Sequence, residues 1–371
     1  MTDPRITKLA ENLINNAIAL KAGENILIET TDVPEEVPVE LVKAVEKAGG
    51  NAFVHTSSGR VRRQLIKSAS DEQLKLHAEL SLAEMKKMQA YIAIRGADNA
   101  METSDIDDAK MLKYRMATKE TLDYRVKKTR WCVLRWPNPS MAQGAKMSTE
   151  AFEDFYFKAC LADYPKMAKS AQALVDLMNK TEKVRLVAKD TDISFSIKDI
   201  PAVPCCGNMN IPDGEVYTAP VQGSIEGVIH YNTPTLYEGK FFSGVRLEFK
   251  EGKIVKATCE QGDEKSLNAI FDTDEGARYV GEFAIGFNPF VKEAMCDILF
   301  DEKIAGSIHF TPGMCYDDAY NGNQSAIHWD LVLIMRPEFG GGEIWFDDKL
   351  IRKDGLFVVD ELKSLNPDQL G

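Results

Sequence analysis

The sequence predicts an α/β N-terminal domain, a parallel sheet flanked by helices, followed by an α+β, strand-rich C-terminal domain that carries the candidate site. Two observations predict this division. Short apolar runs alternate with amphipathic helical stretches through the first half, the pattern of a parallel sheet covered on both faces. After Lys180 that alternation gives way to short strand-like runs and hairpin-length turns. A length of 371 residues suits two cores. The boundary is expected at about 181, giving domains 1–181 and 182–371.

In chain order, Ile6, Leu9, Leu13, Ala17 and Leu20 recur at helical spacing, and Gly23 follows as a C-terminal cap. Met1 opens this polar segment with no basic stretch leading into an apolar run, so no secretory signal is expected. Residues 25–29 (NILIE), 51–55 (NAFVH), 90–94 (AYIAI) and 130–134 (RWCVL) read as strands. Helices are expected between them, through Leu41 and Val45, over 74–88 and over 105–122. Two more follow at 148–161, capped by Ser148 and Thr149, and at 164–179. No glycine pattern for a nucleotide follows any of these strands. Beyond the boundary, 184–188, 193–197, 245–249 and 254–259 read as strands, the last two joined by the turn 250–253.

Composition narrows the function classes. A hydrophobic share of 44% with 27% charged residues is ordinary for a globular protein. The net charge of −12 argues against a nucleic-acid partner. No apolar run approaches a membrane span. The seven cysteines are odd in number and include no CxxC, which speaks against thiolate zinc and disulfides and for a reducing cytoplasm. Adjacent Cys205 and Cys206 read as small buried hydrophobes, and His55 and His77 as structural.

The chemistry concentrates between Gly306 and Leu331, which holds two of only five histidines, His309 and His328, with Asp330 two residues beyond the second. Each histidine lies in a strand-like run, 307–310 and 326–334. On a strand, His328 and Asp330 would project to one face and Trp329 to the other. A polar, glycine-bearing loop with Tyr316 joins the runs and reads as an adjustable lid. A histidine on an apolar strand is more often a packed core residue than a ligand, so further donors matter. Glu215 follows a Pro-Asp-Gly turn at the start of a strand, and Glu282 lies on the apolar run YVGEFAIG. A carboxylate on such a strand is costly unless paired or coordinating a cation. Glu215, Glu282, His309, His328 and Asp330 form an N/O set without thiolate, which suits a two-metal hydrolytic centre better than structural zinc. Tyr316 would donate to a developing oxyanion, and it and Glu282 are the catalytic candidates.

The blocks NMNIPDGEVYTAP, RYVGEFAIGFNP, GSIHFTPGMCY and NQSAIHWD, in that order, resemble those of the M29 family of metalloaminopeptidases, the aminopeptidase T and aminopeptidase S type. The resemblance implies a cytoplasmic, homodimeric exopeptidase acting on peptides with a free N-terminus, with a pair of divalent ions, Zn, Co or Mn. It places the family's metal ligands on Glu215, Glu282, His309, His328 and Asp330 and its active-site tyrosine on Tyr316. Two rivals differ in class. His309, His328 and Asp330 alone would make the two-histidine, one-carboxylate face of a mononuclear iron dioxygenase that opens dihydroxypyridine-type rings. Such a site has no use for Glu215 and Glu282. A non-catalytic scaffold would be expected to have lost a ligand, and every position is filled.

Overall fold

The computed structural model describes residues 3–371 apart from Ala100 and Glu238; Met1, at the head of the first expected helix, lies outside the described residues. The chain clusters into two compact units, Met1–Leu161 with Gly207–Ile211, and Ala162–Cys206 with Pro212–Gly371. The expected boundary at about 181 falls one helix further along, because Tyr164–Met178 packs within the second unit. No helix among the described residues is long and apolar enough to cross a membrane.

In the first unit, strands Asn25–Thr31, Asn51–Ser57, Ala90–Arg95 and Arg130–Arg135 begin where the apolar runs begin and extend slightly beyond them. They form a sheet in the order second, first, third, fourth, extended by the short strand Asn210–Ile211, with every pairing parallel. Ile26–Ile28 and Ala90–Ile94 are buried throughout, which is why they read as unbroken apolar runs. The side chains of Asp3, Ser70, Asp107 and Ser148 accept backbone N–H groups at helix starts. The first expected helix is Pro4–Asn12 followed by a π turn, Leu13–Ala17, in which Ile18 N donates to Leu13 O at 2.9 Å. The turn keeps Leu13, Ile14, Ala17 and Ile18 buried together. A further helix, Gly59–Ser68, is not among those expected, and only Ile66 is buried on it.

Among the described residues the second unit holds two large antiparallel sheets and a two-stranded one, Thr235–Tyr237 with Lys240–Phe242. The larger has eight strands and carries the Arg246–Lys250 and Lys253–Thr258 hairpin at one edge. The smaller runs Leu331–Ile334, Ser307–Pro312, Val280–Gly286, Glu215–Thr218, Val203–Cys205. One face of it is aromatic: Phe283 and Phe310 meet Phe195 of the larger sheet with ring centroids 5.0 and 4.9 Å apart. Buried Arg352 donates to the carbonyls of Gly286 and Ser307 at 3.0 and 2.9 Å, tying two central strands at one end. Gly286 is where the segment 302–304 crosses the sheet. A Cβ there would lie 2.7 Å from Ile304 O and 2.8 Å from Glu302 O, so only glycine lets the crossing lie flush.

Gly286→Ala is expected to destabilise the chain by about 1–3 kcal/mol through this overpacking, and urea denaturation measures it. A midpoint unchanged from the parent would show that the crossing yields freely.

Candidate metal centre

Register decides which side chains share a face of the smaller sheet. Glu215 pairs with Gly286, Ala284 with both Tyr217 and His309, and Glu282 with Thr311. Paired residues and their next-but-one neighbours point the same way, so Glu215, Glu282 and His309 lie on the face opposite the aromatic core. The register shifts between Val280 and Glu282, just before this regular stretch begins.

The expected strand over 326–334 is shorter in the structure: the regular ladder is Leu331–Ile334, and His328 and Asp330 precede it. The register nevertheless continues backward. Thr311 Oγ1 donates to Asp330 Oδ1 at 2.8 Å, and His328 forms an isolated bridge with Gly313. The ladder fails at Gly313, whose φ of +107° and 2.1 Å notional Cβ contact with Ile327 O allow close approach without strand geometry. His328 and Asp330 still face one way, Nε2 to Oδ1 at 3.2 Å, while Trp329 turns to stack on Tyr237 and Phe271.

All five candidate ligands therefore converge. His309 Nε2 is 2.8 Å from Glu282 Oε1 and its Nδ1 is 3.6 Å from Glu215 Oε2. His328 Nε2 is 3.5 Å from Glu282 Oε2. His328 Nδ1 donates to the Met314 carbonyl at 2.8 Å, which orients the ring with Nε2 toward the carboxylates. Two triads result, Glu215–Glu282–His309 and Glu282–His328–Asp330, each with donor atoms within 4.8 Å of one another. Glu282 belongs to both. Glu215 Oε2, Glu282 Oε2 and His309 Nδ1 are buried and have no hydrogen-bond partner, although native folds pair nearly all such atoms. Hard oxygen and imidazole donors left unpaired in this way fit divalent cations.

Tyr316, the other catalytic candidate, packs its ring against that of His328, centroids 4.8 Å apart, and is 42% exposed. Its loop is less free than a lid. Asn323, buried, donates to the Gly276 and Gly313 carbonyls, and Asn321 to those of Pro220 and Val280.

Sequence reasoning missed Glu302, Lys303 and Asp213. Glu302 lies within reach of His309 and Asp330, and Lys303 pairs with Glu215, Glu302 and Asp213. In the sequence they sit in turns beside other acidic residues and look solvated; a lysine flanked by the apolar runs ILF and IAG was the one available signal. His55 is at the surface of the first unit, 3.2 Å from Glu84. Cys205 and Cys206 are half-buried rather than core, Cys205 pairing in register with Glu215.

The electrostatics follow from packing these charges together. Burial opposes charge on both imidazoles, but Glu215 and Glu282 around His309, and Asp330 and Glu282 around His328, outweigh it and lift each to about 10. Burial raises Glu282 against the pull of His309. Burial also acts to raise Asp330, yet His328, His309 and the Thr311 hydroxyl hold it below the usual carboxylate range. Glu302 is lifted by burial to about 8 despite Lys303 beside it.

A fold with a strand-borne cluster of buried carboxylates and imidazoles defines a metalloprotein class, and comparison with known proteins gives the family. A profile described as "Thermophilic metalloprotease (M29)" matches residues 2–338, and the chain belongs to that family. Aminopeptidase T of Thermus thermophilus is 38% identical over 142 residues, 34% of this chain and 34% of that protein, so the chain spans about a third of that relative's length in the match. Aminopeptidase AmpS of Bacillus subtilis is 23% identical over 365 residues, 88% of each. Among solved structures, wild-type AmpT from Thermus thermophilus has a TM-score of 0.81 at 20% identity, covering 96% of this chain and 99% of that one. A 2,5-dihydroxypyridine dioxygenase from Pseudomonas putida KT2440 has a TM-score of 0.63 at 12% identity, covering 98% and 99%. These two likenesses establish the fold.

The pKa shifts set the sign of the pH dependence. In metal-free protein, each histidine raised from 6.5 to about 10 stabilises the fold fully below 6.5 and loses that contribution as pH climbs through about 10. The depressed Asp330 stabilises above its unfolded value and loses that contribution as pH falls through its folded one. At about pH 8 both imidazoles are protonated in the metal-free fold, so loading both positions with divalent cations should displace about two protons from them. Titration calorimetry in buffers of differing ionisation enthalpy counts them. Release near zero at that pH would contradict the paired imidazolium state.

Proposed function

We propose that this chain is a metal-dependent aminopeptidase, a hydrolase that removes N-terminal residues from peptides with a pair of divalent ions, Zn, Co or Mn. The observation that carries the reading is the pair of triads joined through Glu282. Glu215 and His309 would hold one ion, His328 and Asp330 the other, with Glu282 common to both. Charge balance supports two ions over one. The cluster holds five carboxylates, Asp213, Glu215, Glu282, Glu302 and Asp330, against one ammonium, Lys303. With neutral imidazoles, and Glu302 mostly protonated near pH 7, three negative charges remain, more than a single divalent cation neutralises. Such a pair acidifies water and polarises a carbonyl.

The chain's own groups do the rest. The His328 Nδ1–H bond to Met314 and the Thr311 bond to Asp330 orient two donors before any substrate arrives. Glu282, buried between both imidazoles, would accept a proton from attacking water. Tyr316, with its ring against His328 and part of its surface open, donates to the oxygen that gains negative charge as the carbonyl is attacked. The names of the relatives, aminopeptidases T and AmpS, support the peptide substrate. The ring-cleaving alternative on His309, His328 and Asp330 shares only the fold with its dioxygenase neighbour and leaves Glu215 and Glu282 buried without a use.

A homodimer belongs to this reading, supported by Leu76, Leu80, Leu112 and Met116, which are exposed on helices Asp71–Met85 and Asp108–Lys128 of the first unit. A cytoplasmic setting is supported by the odd number of cysteines, seven, with no CxxC pair among them.

Metal analysis of protein purified without added metal should find about two ions per chain, together with hydrolysis of a chromogenic aminoacyl amide. One iron and no hydrolysis would favour the oxygenase. His328→Ala and Asp330→Ala should each abolish hydrolysis while the chain stays folded by circular dichroism; near-normal turnover at saturating metal in either variant removes that residue from the centre. Tyr316→Phe should lower kcat by roughly 10²-fold with metal content unchanged, and an unaltered kcat would leave Tyr316 a packing residue of its loop.

A further inference from the structure

Lys303 is 2% exposed and stands among carboxylates. Its Nζ is 2.6 Å from Glu215 Oε1, 2.9 Å from Glu302 Oε1 and 3.4 Å from Asp213 Oδ1. An ammonium has three donors and no acceptor, and these oxygens surround it. Stability alone is a weak reason to bury such a network, since packed apolar side chains often do as well. What the placement does is divide one carboxylate. Glu215 Oε1 is held by Lys303, while Oε2 is buried without a partner, 3.6 Å from the equally unpartnered His309 Nδ1. The backbone fixes the division. Asn288 N donates to Lys303 O at 3.0 Å and Asn288 Nδ2 to Asp213 O at 2.6 Å, so one residue staples the segments that carry Lys303 and Glu215.

We propose that Lys303 is a positioning residue that restricts Glu215 to offering the metal centre a single oxygen, leaving the Glu215–His309 side open for substrate. The proposal rests on the metal-centre reading above. It gives the ammonium a role that neither hydrolysis nor ligand identity requires. Carboxylates bind cations through one oxygen or two, and the choice sets how many positions remain for substrate and water.

The test strips the full-length chain of metal and titrates it with cobalt(II), whose visible absorption weakens as its coordination number rises. Lys303→Met keeps length and removes charge and donors; Lys303→Arg keeps charge and donors. In Lys303→Met the freed Oε1 should join Oε2 on the ion, so the visible band falls by about twofold. Cobalt should bind about tenfold more tightly once the neighbouring positive charge is gone. On an aminoacyl amide, kcat should fall by about tenfold with KM little changed, because substrate loses an open position in the reacting state. Lys303→Arg should restore the band. A lysine that merely supports the fold would lower the Tm of Lys303→Met and leave the band where it was.

A folded Lys303→Met with unchanged band and affinity overturns the proposal. If that variant does not fold, Glu215→Gln decides. Lys303 would take the amide oxygen and turn the amide nitrogen toward the site, so the chain should bind one cobalt, and two bound would overturn the proposal. Two cobalt ions on the parent chain with an unmoved variant band sink the Lys303 role alone. No cobalt on the parent chain sinks the metal reading and this proposal with it.

Discussion

Negative charge gathered on one face of a buried sheet is the constraint on which the second unit depends. Five carboxylates and two imidazoles lie together, most of them inaccessible to water: Glu215, Glu282 and His309 are 4%, 3% and 0% exposed. Each buried ion costs several kcal/mol unless compensated. Compensation comes from many directions at once. Lys303 answers Glu215, the Thr311 hydroxyl answers Asp330, and the Met314 carbonyl orients His328. Three donor atoms are left over, all aimed into the cluster. A fold that satisfies nearly everything around a site and leaves only its donor atoms unpaired is built to receive something at those atoms.

The other face of the same sheet makes this affordable in structural terms. Phe283 and Phe310, next to Glu282 and His309 in the chain, point away from them and pack on Phe195. Strand alternation therefore couples the site directly to the aromatic core: moving a ligand strand means unpacking a ring. Arg352 adds rigidity by clasping two strand carbonyls from below, with its guanidinium lowered to about 9 by burial. Two local irregularities refine the result. The register shifts between Val280 and Glu282, just ahead of the regular ligand-bearing stretch, and Gly313 lets His328 approach without belonging to the ladder.

Fold and chemistry separate cleanly here. The same architecture is seen at TM-scores of 0.81 and 0.63 in two differently named proteins, AmpT and a 2,5-dihydroxypyridine dioxygenase. The fold brings strands together at a fixed spacing, and the residues on one face decide what the spacing is used for. In this chain Glu215 and Glu282 extend a two-histidine, one-carboxylate face into two triads joined through Glu282.

Much of this was legible in the amino-acid order because it is local. The central strands of the first unit, Asn25–Thr31 and Ala90–Arg95, are largely buried and so read as apolar runs, and the strand ends were found within a residue or two. His328-x-Asp330 and Glu282 stand out because a charged side chain in an apolar run is costly, and that cost is visible without a structure. Other features were hidden for physical reasons. The helix Gly59–Ser68 has a short apolar stripe, Val61, Leu65 and Ile66, set among basic and polar residues, and only Ile66 is buried. The strand expected over 326–334 is only Leu331–Ile334, because β propensity cannot register the close approach at Gly313. Lys303 looks like any surface lysine, and its neighbours Asp213, Glu215 and Glu302 are supplied by two segments almost ninety residues apart, 88 between Glu215 and Lys303. The sequence by itself determined which donors exist and which way each points along its own strand. Tertiary structure alone decided that Glu282 is common to both triads and that one oxygen of Glu215 is already taken, since both depend on register between strands and on a chain crossing at Gly286.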